Sequence, residues 1–303
     1  VPDRTEPATE PLRRWRRSVL GRSRWLGPAP QGLTLLLRPY RRGMTVRELI
    51  LVRHGQSVGN IAAEAADRDK LHEIDVPARD PDVELSDTGR EQAEALGRWL
   101  CEQAEDERPE IVWTSPYRRA RQTAEIALGV CDAHLDFRVD ERLRDRDMGV
   151  TDMLTGHGIR EKYPEEAKRR EWIGKFYYRP SGGESWADVA FRVRSVLTDL
   201  ANTEKASRVL VSAHDVVILL FCYVAEGLDE EQVLERSRTN GVRNAAICRL
   251  VRDDESPSGW RVTAYNEDDH LREMGAEVTD EPEVGDEEAG ERVDAGADAG
   301  GER

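Results

Sequence analysis

The sequence predicts an α/β protein, a three-layer α/β/α sandwich with a mostly parallel central sheet and an antiparallel edge. Short apolar segments typical of buried strands alternate with longer segments whose apolar residues recur at helical spacing. Two further strand-like segments, 244–251 and 260–265, flank a turn region at 253–259, which is typical of an antiparallel pair. The length of 303 residues allows one large domain or two small ones.

Three short apolar segments are predicted to form the parallel strands of the sheet. They cover residues 45–52, 111–113 and 209–211. In an open α/β sheet, ligands bind outside the carboxyl ends of the strands, so side chains that follow these strands are expected to converge. The side chains concerned are Arg53 and His54, then Ser115 leading to Arg119, then His214.

Amphipathic helices are predicted between these strands. Ser86 is a candidate N-cap for a helix that continues to Gln103, and a loop ending at Ser185 precedes a helix over 186–200. The segment 216–226 is almost wholly apolar, which indicates a central helix. Residues 155–180 are polar with an aromatic cluster, which suits either a surface cap over a pocket or a flank packed on the core.

Charge divides the chain into three parts. The first 45 residues carry a surplus of seven positive charges, and residues 271–303 carry a surplus of nine negative ones, out of a net charge of −15. We expect a basic, disordered extension over 1–44, a folded domain over 45–271 and an acidic, disordered tail over 272–303. Met44 leaves open that the extension is a mis-assigned start. The acidic central part gives no support for nucleic-acid binding.

The cysteines and apolar runs indicate a cytoplasmic protein. The four cysteines are Cys101, Cys131, Cys222 and Cys248; they are far apart and form no CxxC pair, so we expect them to be reduced. No apolar run reaches the roughly 18 residues of a transmembrane helix, so no membrane partner is expected. The histidines without motif context, expected at the surface, are His72, His134, His157 and His270.

An arginine and a histidine at one strand end suit a phosphate, which the histidine could attack. Three motifs surround such residues: Leu51-Val52-Arg53-His54-Gly55-Gln56-Ser57, Ser115-Pro116-Tyr117-Arg118-Arg119-Ala120, and Val211-Ser212-Ala213-His214. In this order and spacing they resemble the histidine phosphatase superfamily, also called phosphoglycerate-mutase-like, over roughly residues 46–270. The resemblance implies that His54 is transiently phosphorylated. It also implies that Arg53 and Arg119 clamp the phosphate and that His214 is the second histidine of the site.

The resemblance also implies further site residues. Gln56 and Asn60 match polar positions of the first loop and are predicted to touch phosphate or substrate, although Asn60 also suits a turn. The superfamily's general acid, usually a glutamate, corresponds to Asp145, with Asp147 and Glu184 as alternatives. Arg118 and Arg121 remain candidates for the pocket rim. Asp215 stands where many members have glycine, and its role is open.

The predicted activity is that of a phosphomonoesterase acting through phosphohistidine, without metal or cofactor. The segments 146–149 and 177–189 are closer to phosphatase branches, including broad-range acid-phosphatase-like members, than to mutases. The alternatives are a phosphoglycerate-mutase-type phosphotransferase and a non-enzymatic binder of phosphorylated ligands. The expected partner is a small phosphate ester, and the expected assembly is a monomer or homodimer.

Overall fold

The computed structural model describes residues 46–280. Within them the strands are β1 (Glu48–Arg53), β2 (Ile111–Thr114), β3 (Asp136–Val139), β4 (Arg208–Ala213), β5 (Ile247–Arg252) and β6 (Trp260–Glu267). The helices are α1 (Val58–Arg68), α2 (Asp87–Glu102), α3 (Arg118–Val130), α4 (Gly156–Lys162), α5 (Pro164–Ile173), α6 (Trp186–Thr203), α7 (Asp215–Glu226), α8 (Glu230–Asn240) and α9 (Asp269–Glu273).

The six strands form one sheet in the order β3-β2-β4-β1-β5-β6. The first four of these are parallel neighbours, whereas β5 pairs antiparallel with β1 and β6 pairs antiparallel with β5. The predicted fold class, with its antiparallel edge, is confirmed. Strand β3 was not predicted, because its four residues are all exposed and show no buried apolar run.

Two hydrophobic clusters cover the two faces of the sheet. Leu49 and Leu51 of β1 belong to the cluster with α6 and α7, whereas Ile50 and Val52 belong to the cluster with α2 and α3. This division follows from strand geometry, in which successive side chains point to opposite faces. The sheet therefore lies between two helical layers, as the continuous apolar run in β1 predicts.

Two of the predicted helix starts are confirmed by their caps. The Ser86 hydroxyl accepts a hydrogen bond from the backbone N–H of Gly89 at the start of α2. Ser185 and Asp188 form a reciprocal capping box at the start of α6. Each cap satisfies backbone donors that a helix leaves without partners in its first turn.

The aromatic cluster within 155–180 divides between core and surface. Phe176 and Tyr178 are buried, and Phe176 packs in the cluster that contains α6 and α7. Trp172 on α5 is instead 87% exposed. The residues after α5 therefore form a flank packed on the core, which was the second of the two predicted alternatives.

The expectation that all four cysteines are reduced is wrong for two of them. Cys101 and Cys131 form a disulfide, with their Cα atoms 5.5 Å apart. They lie at the C-terminal ends of α2 and α3, which pack against each other. The two cysteines are 30 residues apart in sequence, so their pairing could not be recognised without knowledge of this helix packing. Cys222 and Cys248 are free and buried, as expected.

The folded domain extends beyond its predicted boundary at residue 271. The Gln92 amide donates to the Glu277 carbonyl and to Thr279 Oγ1, and Ala276 is buried beside Leu271. Several residues after 271 therefore pack against the folded domain, where the sequence predicted a disordered tail. The predicted extension over 1–44 and the tail after 280 lie outside the described residues. Within 46–280, no helix is both long and apolar enough to cross a membrane.

The expectation of a surface position is wrong for His270. The residue is only 3% exposed, and its ring lies 6.0 Å from that of Trp99. Burial lowers its pKa to about 4, although a hydrogen bond to the Ala245 backbone and two nearby aspartates oppose the shift. No chemical motif surrounds this histidine, so the sequence carried no signal of its burial.

This burial predicts a loss of stability in acid. Because the folded pKa of His270 lies below the unfolded value of about 6.5, the unfolded state binds more protons as the pH falls through 6.5 towards 4. Stability due to this group is thus complete above pH 6.5 and decreases below it. We expect His270→Gln to reduce the loss of unfolding free energy between pH 6.5 and 4.5 by about 2–3 kcal/mol.

Urea unfolding at the two pH values measures this difference. The matched control is His134→Gln, because the side chain of His134 is 92% exposed. The control should show the pH dependence of the unsubstituted protein. An equal pH dependence in all three proteins would contradict the assignment of proton-linked stability to His270.

Candidate active site

His54 follows directly after β1, at the carboxyl end of the sheet. Its side chain is 3% exposed, and its backbone N–H donates to the carbonyl of Ala213 at the end of β4 over 3.0 Å. Its Nδ1 lies 2.7 Å from the carbonyl of Gly55. A carbonyl only accepts, so Nδ1 carries the proton and Nε2 keeps its lone pair. The imidazole is therefore held with Nε2 available as a nucleophile.

Arg119, in the first turn of α3, is the cation that faces the His54 imidazole. Its Nε lies 3.3 Å from His54 Nε2. Its Nη1 donates to the carbonyl and the carboxylate of Asp80, each over 2.8 Å, and its Nη2 donates to Asp145 Oδ2 over 2.8 Å. The guanidinium thus presents forked donors to anionic oxygens beside His54, the geometry that suits a phosphoryl group.

His214 lies between β4 and α7 and is fully buried against the same site. Its ring centroid lies 5.2 Å from that of His54, in an edge-to-face arrangement. Its Nδ1 lies 3.1 Å from Asp145 Oδ2, and its Nε2 lies 2.9 Å from the Ser115 hydroxyl. The structure therefore brings His54, Arg119, Asp145 and His214 together at the ends of β1, β2 and β4, where the sequence predicted convergence.

The two histidines are held neutral by their surroundings. Burial lowers the pKa of His54 well below its ordinary value, and the charges of Arg119 and Arg53 add to the shift, as does His214. Burial also lowers the pKa of His214, against the opposing attraction of Asp145. A neutral imidazole is the form with a lone pair, so His54 is competent for nucleophilic attack at neutral pH and below.

Asp145 is ionised in the unliganded site. Burial alone would raise its pKa, but contact with the His214 imidazole and the charge of Arg119 outweigh burial and hold the pKa well below its usual range. An ionised carboxylate can accept a proton but cannot donate one. Asp145 can therefore serve as a general acid only after a bound ligand changes its protonation, and a phosphoryl dianion beside it would raise its pKa by charge repulsion.

Arg53, the last residue of β1, is buried next to His54. Its Nη1 donates to the Val242 carbonyl over 2.6 Å, and its charge contributes to the lowered pKa of His54. Its predicted role as a second phosphate clamp stays a prediction. The other candidate arginines lie in surface ion pairs, Arg118 with Glu84 at 2.8 Å and Arg121 with Glu125 at 3.4 Å.

The structure places Gln56 and Asn60 at the start of α1. Asn60 Oδ1 accepts from the backbone N–H of Ser57 over 2.8 Å, and the Ser57 hydroxyl accepts from the Asn60 backbone, which completes a capping box. Gln56 Oε1 accepts from the Ser86 hydroxyl over 2.8 Å. These contacts give both side chains a structural role in the loop after His54, and their predicted contact with substrate stays a prediction.

The alternative acids have other contacts. Glu184 forms ion pairs with Arg144 at 2.6 Å and with Arg192 at 3.2 Å. Asp147 Oδ1 accepts from the backbone N–H of Gly149 over 2.8 Å. Asp145 is the candidate that contacts both Arg119 and His214. Asp215, whose role the sequence left open, is the first residue of α7.

A close approach between the loop after β1 and the first turn of α2 explains the glycine after His54. A Cβ atom on Gly55 would lie 2.5 Å from the carbonyl oxygen of Gly89, which is backbone and cannot move aside cheaply. The Gly55 N–H donates to Thr123 Oγ1 over 3.0 Å, and that hydroxyl donates to the Arg119 carbonyl. These hydrogen bonds tie the loop after β1 to the helix that carries Arg119.

Sequence reasoning missed two site features. Asp80, in the loop before α2, contacts Arg119 and carries no motif signal. The Tyr117 ring packs edge-on against His214 at 5.1 Å and under the Arg119 guanidinium at 4.9 Å. The position of Tyr117 within the second motif was a signal, because the same turn delivers Arg119. Among residues 46–280, no group of three or more His, Cys, Asp or Glu side chains could hold a metal ion.

Comparison with known proteins agrees with this geometry. The sequence profile of the histidine phosphatase superfamily (branch 1) matches residues 49–268, a span that contains all the residues above. The chain belongs to this superfamily. Membership supports phosphoryl transfer through phosphohistidine as the common chemistry, and it leaves the choice between phosphatase and mutase to other observations.

Several characterised superfamily members are similar in sequence. The 2,3-bisphosphoglycerate-dependent phosphoglycerate mutase of Methylorubrum populi is 31% identical over 210 residues, which cover 68% of this chain and 91% of the mutase. Human 6-phosphofructo-2-kinase/fructose-2,6-bisphosphatase 3 is 34% identical over 185 residues, which cover 61% of this chain and 30% of that protein.

Solved structures extend the similarity to phosphatases. A mycobacterial glucosyl-3-phosphoglycerate phosphatase superposes with a TM-score of 0.55 at 28% identity, covering 73% of this chain and 99% of that one. A second structure, named mycobacterial hydrolase 1, superposes with a TM-score of 0.57 at 27% identity, covering 73% of this chain and 98% of that one. Both classes of superfamily activity are therefore represented among the similar proteins.

Proposed function

We propose that this protein is a phosphomonoesterase that hydrolyses a small phosphate ester through a phosphohistidine at His54. The proposal rests mainly on the neutral His54 imidazole. Its Nδ1 is hydrogen-bonded to the Gly55 carbonyl, and its Nε2 faces Arg119. An arginine beside a lone pair of this kind stabilises the charge on the phosphoryl oxygens during transfer.

The reaction has two steps. In the first, His54 Nε2 forms a bond to phosphorus while the bond from phosphorus to the ester oxygen breaks, and Asp145 gives the leaving oxygen a proton. In the second, Asp145 accepts a proton from water, the water oxygen attacks phosphorus, and the bond to Nε2 breaks. Inorganic phosphate leaves, and His54 is again neutral. Arg53, Arg119 and His214 hold the phosphoryl oxygens in both steps.

Asp145 needs a proton for the first step, and the substrate can supply the conditions for it. The phosphoryl group is expected to displace the Asp80 carboxylate from Arg119, which places a phosphate charge next to Asp145. Repulsion between the two anions favours protonation of the carboxylate. A monoanionic ester can bring the proton with it.

Two observations favour hydrolysis over mutase activity. The Asp145 side chain is 24% exposed, so water can reach the carboxylate that would activate it. The segment Arg146-Asp147-Met148-Gly149 also lacks the Arg-His-Tyr-Gly pattern typical of phosphoglycerate mutases. Mutase activity is the second candidate because of the 31% identity to a phosphoglycerate mutase over 91% of its length.

Product analysis separates these activities. We expect the protein to release inorganic phosphate from p-nitrophenyl phosphate and from at least one member of a phosphate-ester panel. Interconversion of phosphoglycerates primed by 2,3-bisphosphoglycerate, without matching phosphate release, would establish the mutase instead. Failure to turn over any ester or to form an acid-labile phosphoenzyme would favour a binder of phosphorylated ligands.

The binding partners, oligomeric state and cellular location of the protein are also part of the proposal. We infer a protein without nucleic-acid or membrane partners that acts as a monomer or homodimer. A cytoplasmic location stays a prediction, and the disulfide between Cys101 and Cys131 removes one of the observations on which it rested.

A further inference from the structure

The Ser115 hydroxyl is a polar group of the site to which the two-step reaction gives no task. Ser115 follows β2, is fully buried, and has its backbone N–H bonded to the Ser212 carbonyl of β4 over 3.0 Å. Its Oγ lies 2.9 Å from His214 Nε2 and accepts from the backbone N–H of Tyr117 over 3.1 Å. It is therefore held rigidly against one nitrogen of the second histidine.

The groups around Ser115 and His214 favour one direction for the hydrogen bond between them, in which Ser115 is the donor. The Tyr117 N–H can only donate, so the Ser115 oxygen accepts there and keeps its own proton for another partner. On the opposite side of the imidazole, Nδ1 lies 3.1 Å from Asp145 Oδ2, an ionised oxygen that can only accept. Both conditions are met when Ser115 donates to Nε2 and Nδ1 carries the ring proton.

Asp145 by itself is a weak determinant of this arrangement. Although His214 Nδ1 lies within ion-pair distance of Asp145, the group is not aligned with that oxygen for a hydrogen bond. The Ser115 contact, in contrast, meets hydrogen-bond geometry. The Tyr117 ring, edge-on to the imidazole at an interplanar angle of 74°, restricts rotation of the His214 ring.

We propose that Ser115 is a positioning residue that fixes His214 as the Nδ1–H tautomer, so that a single N–H donor faces the phosphoryl side of the site. The proposal deepens the proposed function, on which it rests. A neutral imidazole in this tautomer donates to a phosphoryl oxygen, whereas the other tautomer would direct a lone pair at that anion. Preorganised donors of this kind stabilise charge as it develops.

The two histidines of the site then share a tautomer for different reasons. For His54 the determinant is a backbone carbonyl, that of Gly55, which substitution of a side chain does not remove. For His214 the determinant is a hydroxyl group that a single substitution deletes. Ser115→Ala therefore isolates the orientation of the second histidine while it leaves the nucleophile and its contacts in place.

The first test is nuclear magnetic resonance of the unliganded protein with ¹⁵N-labelled histidine. Two-bond proton–nitrogen correlations distinguish the tautomers, and we expect His214 to be Nδ1–H. In Ser115→Ala we expect a mixture of tautomers, and in Ser115→Thr, which keeps the hydroxyl, a return to Nδ1–H. The matched control is Ser212→Ala, because the Ser212 hydroxyl is also buried but donates to the Ala120 carbonyl.

Kinetics give the second readout. We expect Ser115→Ala to lower kcat by about tenfold to hundredfold with little change in KM, and Ser115→Thr to restore most of it. An Nε2–H tautomer in the unsubstituted protein, or full kcat and an unchanged tautomer in Ser115→Ala, would overturn the proposal. The resonance measurement on the unsubstituted protein needs neither turnover nor a variant. It therefore tests the tautomer of His214 even if the proposed function is wrong or a variant does not fold.

Discussion

His54→Ala is expected to abolish hydrolysis of p-nitrophenyl phosphate, with a loss of at least about 10⁴-fold in kcat. In the proposed reaction Nε2 of His54 forms the bond to phosphorus, and the other nearby imidazole, His214, has its own Nε2 hydrogen-bonded to Ser115. The activity is measured by release of p-nitrophenol. Acid-quench labelling with a ³²P-labelled ester should give an acid-labile phosphoenzyme in the unsubstituted protein and none in the variant.

The contacts of His54 indicate that the alanine variant should fold, so a loss of activity can be assigned to the missing imidazole. The contact of His54 with Ala213 is made by its backbone N–H, so alanine keeps it. Circular dichroism should confirm the native fold of the variant. His134→Ala, at an exposed position, is the control and should retain both turnover and labelling. Retained turnover in His54→Ala, with label on another residue, would refute the phosphohistidine scheme.

Asp145→Asn is expected to slow the hydrolysis of alkyl phosphates by about 10²–10⁴-fold and that of p-nitrophenyl phosphate by less than about tenfold. An alkoxide leaving group needs a proton from the enzyme, whereas p-nitrophenolate is stable without one. The asparagine amide is close in size to the carboxylate, which limits the change to the loss of charge and of the transferable proton. Steady-state kcat for the two classes of ester measures the difference.

Three matched variants complete the test of the acid. Asp145→Glu restores the residue usual in the superfamily and should keep activity on both classes of ester. Asp147→Asn and Glu184→Gln, at the two alternative acids, should show no dependence on the leaving group. Equal losses on both ester classes in Asp145→Asn would reject it as the acid, and a selective loss in one of the other two variants would assign the role there.

Much of the fold and site could be predicted because the responsible patterns are local. An apolar run in β1 with no polar interruption indicates a strand that is buried on both faces, and its end marks where Arg53 and His54 emerge. Parallel strands place their carboxyl ends together, which was enough to predict that His54, Arg119 and His214 converge. Caps such as Ser86 and Ser185 are equally local signals.

The features that the sequence did not indicate depend on contacts between distant segments. Strand β3 is recognisable only from its pairing with β2, since its residues are exposed. The disulfide needs α2 packed on α3, and the burial of His270 needs α9 packed near Trp99 of α2. Residue type is a poor guide in such cases, because a histidine or cysteine suits either surface or core.

The sequence by itself indicated the α/β class, the candidate nucleophile His54 and the candidate phosphate-binding residues Arg53 and Arg119, because motifs and strand order can be recognised along the chain. Only the tertiary structure showed the protonation states of these groups and the directions of their hydrogen bonds. It placed Asp145 between Arg119 and His214, Asp80 on Arg119, and the Ser115 hydroxyl on His214. The physical reason is that protonation and hydrogen-bond direction depend on burial and on neighbours a few ångströms away, which the fold brings together from remote positions.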